Sequence, residues 1–202
     1  MTSAAIAGFL LGGTLIIAIG AQNAFILRQG LKREHVFVLC FICALADALL
    51  IAAGVAGLGT LIKREPFLLT FITAGGALFL FGYGALAFRR AVFPSALQTG
   101  DGGPIALRAA IATVLAFTFL NPHVDLDTVV LLGGLSARYE GADRVAYAAG
   151  ACIASFTWFF SLGYGARLLS PVFARPSSWR VLDSIIGVIM WALAGRLLWE
   201  LL

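Results

Sequence analysis

A chain of 202 residues that is 61% hydrophobic and only 12% charged, with a mean hydropathy of +0.98, lies far outside the composition of soluble domains. It cannot hide that much apolar surface in a water-soluble core, which excludes a soluble domain of any size. The net charge of +4 comes from basic residues gathered at the ends of hydrophobic stretches, the positive-inside pattern of membrane proteins, and calls for no nucleic-acid partner.

Six hydrophobic stretches follow one another. The first, Ala4–Leu27, has no basic region before it and runs straight into polar residues, so a retained helix is expected rather than a cleaved signal peptide. Its Gly8-Phe9-Leu10-Leu11-Gly12 element permits close helix approach, within the chain or in a homodimer. A polar patch, Gly20-Ala21-Gln22-Asn23-Ala24-Phe25, interrupts its far end. The second stretch, Val36–Ile62, carries Cys40, Cys43 and Asp47, and the third, Pro66–Phe88, ends in Arg89 and Arg90. After a polar connection, Pro94–Pro104, the fourth stretch Ala109–Leu135 is broken at its centre by Asn121-Pro122-His123-Val124-Asp125-Leu126-Asp127. Val145–Leu169 and Val181–Leu202 complete the set.

Each stretch is long enough to cross a bilayer, which takes about 20 residues, and none shows the alternation of a β-barrel strand. The expected fold is therefore all-α and polytopic, with six transmembrane helices and membrane lipid as its surroundings. Arg28, Lys32, Arg33, Arg89, Arg90, Arg108, Arg167, Arg175 and Arg180 fall at the odd connections. Lys63, Arg64, Arg138, Arg144 and Arg196 fall elsewhere. Nine against five favours odd connections in the cytoplasm and both termini outside.

The chain also divides into similar halves, 1–93 and 109–202, joined by 94–108. The first stretch of each half is broken by an Asn-centred patch. The second ends in Gly57-Leu58-Gly59 or Gly163-Tyr164-Gly165, and the third is Gly-rich and ends in arginine. Three helices per copy is an odd number, so the copies must lie in opposite orientations. Such inverted repeats place a site near the midplane, built from broken helices.

The broken helices carry the chemistry. Pro122 removes a backbone donor and frees carbonyls at membrane depth, which persists only where a cavity or a partner receives them. Half-helix N-termini suit a carboxylate, and Gln22 and Asn23 add side-chain amides; a simple proline kink with Asn23 and Asn121 bonding neighbouring helices is the structural alternative. Asp47 and Asp127 are acids inside hydrophobic stretches, costly unless they face a cavity, a partner or a substrate path. They suit a cation or a proton, or else an ion pair with Arg28 or Arg196. Asp127 lies one turn beyond His123 on the same helix face, and His123 reads as a proton relay or as a cavity-lining hydrogen bonder. Asp125 would point away from Asp127 on a regular helix, so the helix is unwound after Pro122 or one acid pairs elsewhere.

Cys40, Cys43 and Asp47 form a stripe that suits a soft cation, though buried free cysteines are ordinary and no resident metal is expected. With Cys152 the thiols are odd in number and lie in apolar stretches, which argues against a disulfide framework. Trp158, Trp179, Trp191 and Trp199 read as packing residues or interfacial anchors. An intramembrane enzyme built on His123 and Asp127 is disfavoured, because no Ser or Cys nucleophile stands within the motif. No catalytic residue and no cofactor is expected.

Gly20-Ala21-Gln22-Asn23-Ala24-Phe25 with Arg28-Gln29-Gly30, Cys43 with Ala46-Asp47, Leu120-Asn121-Pro122-His123-Val124-x-Leu126-Asp127-Thr128 and Ala154-Ser155-Phe156-Thr157-Trp158-Phe159 resemble the motifs of the LysE family. These are bacterial inner-membrane exporters of L-lysine and L-arginine. The resemblance spans nearly the whole chain and implies secondary active export of basic amino acids, driven by the proton-motive force.

On that reading Gln22, Asn23, Asn121 and Pro122 help hold the substrate carboxylate. Asp47 and Asp127 take its ammonium or guanidinium, and Asp47, His123 and Asp127 couple transport to protons. Neutral amino acids or a divalent cation such as cadmium remain alternative cargoes. Asp125 stands where tyrosine is usual and is assigned to gating. Ala46 stands for a common serine, and Ala21 for a frequent proline, which predicts a milder break in the first helix than in the fourth.

Overall fold

The computed structural model describes residues 1–17, 20–57, 66–92, 105–120, 129, 131–199 and 201, with the side chains of 66–69 outside the description. Seven α-helices are laid out among them. They are α1 (Thr2–Ile16), α2 (Ala21–Lys32), α3 (Val36–Val55), α4 (Pro66–Val92), α5 (Leu107–Phe119), α6 (Gly141–Gly165) and α7 (Pro176–Trp199). Residues 131–136 are also helical, and two short 3-10 turns, Ala166–Leu169 and Val172–Ala174, link α6 to α7. No strand occurs among the described residues.

Four helices are long and apolar enough to cross a membrane, or five spans if the bent pair α1–α2 is counted as one. The 13-residue α5 is only about 20 Å long and cannot span alone. Large apolar side chains such as Leu49, Phe71 and Leu78 face outward, while Arg28, Gln29, Thr118, Ser155 and Asp183 are buried. Polar inside and apolar outside is the arrangement a bilayer demands.

The first hydrophobic stretch is two helices, not one. The axes of α1 and α2 differ by 83°, with Gly20 in an extended conformation as the N-cap of α2. At the other end of α2 the chain reverses sharply. Arg33 and His35 both take left-handed backbone angles (φ 59° and 51°), and the amides of Arg33 and Glu34 return to the carbonyls of Gly30 and Gln29, which closes the helix.

Small residues let helix backbones meet. Gly8 on α1 lies against the Tyr147 carbonyl of α6, Gly12 lies against Ala151, and Gly150 lies against the Ala5 carbonyl. The Gly8–Gly12 element is thus filled by α6 of the same chain, and its close approach is an internal seam. Elsewhere α3 also packs on α6, α5 on α3, and α4 on α7. The arginines of the odd connections gather at one end of this bundle, where α2, α4 and α6 finish and α3, α5 and α7 begin.

Candidate functional site

The break between α1 and α2 exposes helix ends inside the bundle. The first amides of α2, at Ala21, Gln22 and Asn23, have no intrahelical carbonyl to bond, and the N-cap, Gly20, brings no side chain to this end. Asn23 holds the break together. Its Nδ2 donates to the Ile16 carbonyl at the end of α1 (2.9 Å), and its Oδ1 accepts from Trp158 Nε1 on α6 (3.2 Å). Gln22 Nε2 donates to Thr118 Oγ1 on α5 (3.1 Å), and Thr118 donates in turn to the Val114 carbonyl (2.9 Å). Gln22 also hydrogen-bonds the Cys43 thiol.

Asp47 sits one turn beyond Cys43 on α3. Its Oδ2 accepts a 2.8 Å hydrogen bond from Ser155 Oγ on α6, and Ser155 is fully buried. One polar layer therefore joins α2, α3, α5 and α6. It carries one carboxylate, two amides, two hydroxyls, a thiol and an indole, deep among apolar helices. This chemistry suits a small polar or cationic solute, because helix-end amides can receive an anion while Asp47 receives a cation.

Toward the arginine-rich end the layer is shut by aromatic side chains. Phe25 meets Tyr83 and Phe117 at ring-centroid distances of 6.2 and 5.7 Å. Phe117 lies 5.0 Å from both Phe79 and Tyr83. Beyond them Arg28 Nε and Arg90 Nε both donate to Asp183 Oδ1, at 3.2 and 3.1 Å.

Comparison with known proteins decides the class. The LysE type translocator family matches residues 14–201, nearly the whole chain. This protein belongs to the LysE family. A candidate amino-acid transporter of Mycobacterium tuberculosis (strain H37Rv) is 50% identical over 177 residues, 88% of each chain. The arginine exporter ArgO of Yersinia enterocolitica is 43% identical over 194 residues, covering 94% of this chain and 93% of its own. ArgO of Serratia proteamaculans is 39% identical, covering 96% and 95%. No solved structure matches. The LysE assignment makes the chain a multi-pass membrane transporter and not an enzyme.

Within this LysE chain the structure brings Gln22, Asn23 and Asp47 into one layer through Cys43, Thr118, Ser155 and Trp158. Asn121, Pro122, His123, Asp125 and Asp127 lie outside the described residues, which stop at Leu120, two positions beyond Thr118. Two readings of the sequence need correction. Trp158 is more than a packing or interfacial residue, since its indole fixes Asn23. Arg28 is bound to Asp183 and not to Asp47, which accepts from Ser155. Asp183 itself went unmarked, although the rule that singled out Asp47, an acid inside a hydrophobic stretch, applies equally to it. Cys40 donates its thiol to the Phe159 carbonyl (3.1 Å), a helix-packing role.

Proposed function

We propose that this LysE-family chain is a secondary active exporter of basic L-amino acids, arginine or lysine, across the bacterial inner membrane. The observation that carries the reading is the layer around Asp47, where a carboxylate held by Ser155 shares a layer with the first turn of α2 and its Gln22 and Asn23 side chains. The names of the ArgO relatives support the same substrate class. A basic amino acid offers an α-carboxylate to the helix-end amides with Gln22 and Asn23, and a cation to Asp47. Asn121, Pro122 and Asp127 supply the matching half of the site from the second break.

Moving one positive charge out of a negative-inside cell costs about 2.3 kcal/mol per 100 mV. Proton entry offsets that cost if Asp47 and Asp127 bind substrate and proton in turn, with His123 as their relay. Asp125 gates the path. The chain works as two inverted three-helix repeats, 1–93 and 109–202, linked by 94–108. In support, the second helices of the two halves (α3 and α6) pack together, as do the third helices (α4 and α7). The arginine-rich end faces the cytoplasm.

Counterflow of radiolabelled arginine and lysine in proteoliposomes tests this, with Asp47→Asn and Asp125→Tyr run beside the natural chain. Saturable exchange of either amino acid that is lost in Asp47→Asn is the expected result. Exchange confined to Asp125→Tyr would mark Asp125 as a closed gate. No exchange by either folded protein would refute the basic amino acid as cargo.

A further inference from the structure

The Arg28–Asp183–Arg90 cluster plays no part in the site around Asp47, yet its construction is not that of a plain ion pair. Both guanidiniums approach the same oxygen through Nε. Arg28 Nη2, Arg90 Nη2 and Asp183 Oδ2 are buried and have no partner among the described residues. The side chains of Arg28 and Asp183 are 7% and 1% exposed. Among the described residues two guanidiniums face one carboxylate, which leaves one positive charge in excess, and a buried charge without a counter-charge is costly; Arg90, at 20% exposure, is the less buried of the two. The nearby Lys32 is engaged with Glu34 at 3.7 Å and does not alter that excess. Arg90 also lies over the Tyr83 ring, 5.4 Å from its centroid, and hydrogen-bonds the Tyr83 side chain, so the cluster borders the aromatic lid of the Asp47 layer.

Two open donors on cations and one open acceptor on an anion form a specific set. An α-amino acid presents its complement: a carboxylate with two acceptor oxygens, and an ammonium one carbon away. A guanidinium fork is well shaped to receive a carboxylate. All three open atoms belong to the three groups that meet at Asp183 Oδ1.

We propose that Arg28, Arg90 and Asp183 form a second substrate subsite at the arginine-rich end of the bundle. There the two Nη2 groups receive the α-carboxylate of the cargo and Asp183 Oδ2 receives its α-ammonium. The subsite lies across the aromatic cluster from Asp47. On α2, Arg28 is five residues beyond Asn23, about 8 Å along the helix. The subsite also resolves a difficulty of charge. A cationic cargo approaching an end crowded with arginines is repelled, whereas its carboxylate is drawn in first. The inference rests on the basic amino acid reading of the Asp47 layer.

The test is counterflow of radiolabelled arginine by the full-length protein in proteoliposomes, with competition by unlabelled arginine and by agmatine, which is arginine without its carboxylate. Arg90→Gln and Arg28→Gln are each expected to raise the arginine KM about tenfold while agmatine inhibition changes by less than about twofold, so discrimination between the two collapses. A purely structural cluster would instead shift both ligands together or lower only the maximal rate, and that result overturns the subsite. Should the glutamine variants fail to fold, Arg90→Lys keeps the charge but loses the fork, and an intermediate discrimination is expected. Natural discrimination in a folded Arg90→Lys overturns the proposal. Absence of arginine exchange by the natural chain would refute the cargo class itself, and the subsite with it.

Discussion

Replacing Gly8 by alanine adds one methyl group where α1 meets the backbone of α6. An ideal Cβ at that position falls inside contact distance of the Tyr147 carbonyl and 3.1 Å from Tyr147 Cα. Backbone atoms cannot rotate aside, so the helices must separate, and overpacking of this kind costs about 1–3 kcal/mol. Gly13, five residues along the same helix, provides the control, because a Cβ there meets only the Ala154 methyl at 4.0 Å. Alanine improves helix propensity by about 0.8–1 kcal/mol at either position, so that gain cancels between the two variants. The difference left is the overlap alone, worth roughly 2–12 °C in apparent midpoint on the scaling of domains this size. Thermal unfolding of the purified protein in detergent, at one fixed heating rate because membrane proteins seldom refold, would measure it. Gly8→Ala melting at or above Gly13→Ala would refute the seam. A change of oligomeric state with unchanged melting would move the glycines to a contact between copies.

Two further outcomes are expected around Asp47. Ser155→Ala removes a hydrogen bond to a carboxylate, worth about 1.5–3 kcal/mol, and should lower arginine exchange about tenfold or more in a protein that still elutes as a single folded species; an unchanged rate would detach Ser155 from function. Trp158→Phe keeps the ring but loses the donor to Asn23, so the arginine KM should rise about two- to tenfold with little change in melting temperature, and a fall in melting temperature alone would make Trp158 merely structural.

The break in the first helix was legible in the sequence because Gln22 and Asn23 stand in a run that is otherwise apolar, and a bilayer leaves such residues few options. Asp47 was legible for the same reason. What completes the layer was not. Asn23 and Trp158 are 135 residues apart, and Asp47 and Ser155 are 108 apart. Their pairing follows from which helix packs on which, and apolar stretches of similar composition do not encode their neighbours locally. Ser155 and Trp158 were visible as family motifs, but not as partners of the site. The first break bends the axes of α1 and α2 by 83° through the extended Gly20 at the N-cap of α2 and the Asn23 bonds; its comparison with the break at Pro122 lies outside the described residues. Asp183 went unmarked because it sits near the start of the last stretch, where a charged residue reads as the edge of a span.

The arrangement of helix partners also bears on how the chain is made. Helix α1 finds its seam only when α6 is in place, and α4 waits nearly a hundred residues for α7. Arg28 and Arg90 are synthesised long before the carboxylate that binds them both, since Asp183 arrives with the final helix. Until then two guanidiniums must be sheltered by the insertion machinery or held at the lipid surface. A chain stopped before α7 keeps both uncompensated, so the last helix acts as a completeness check, and truncated products should be recognised and degraded in the membrane.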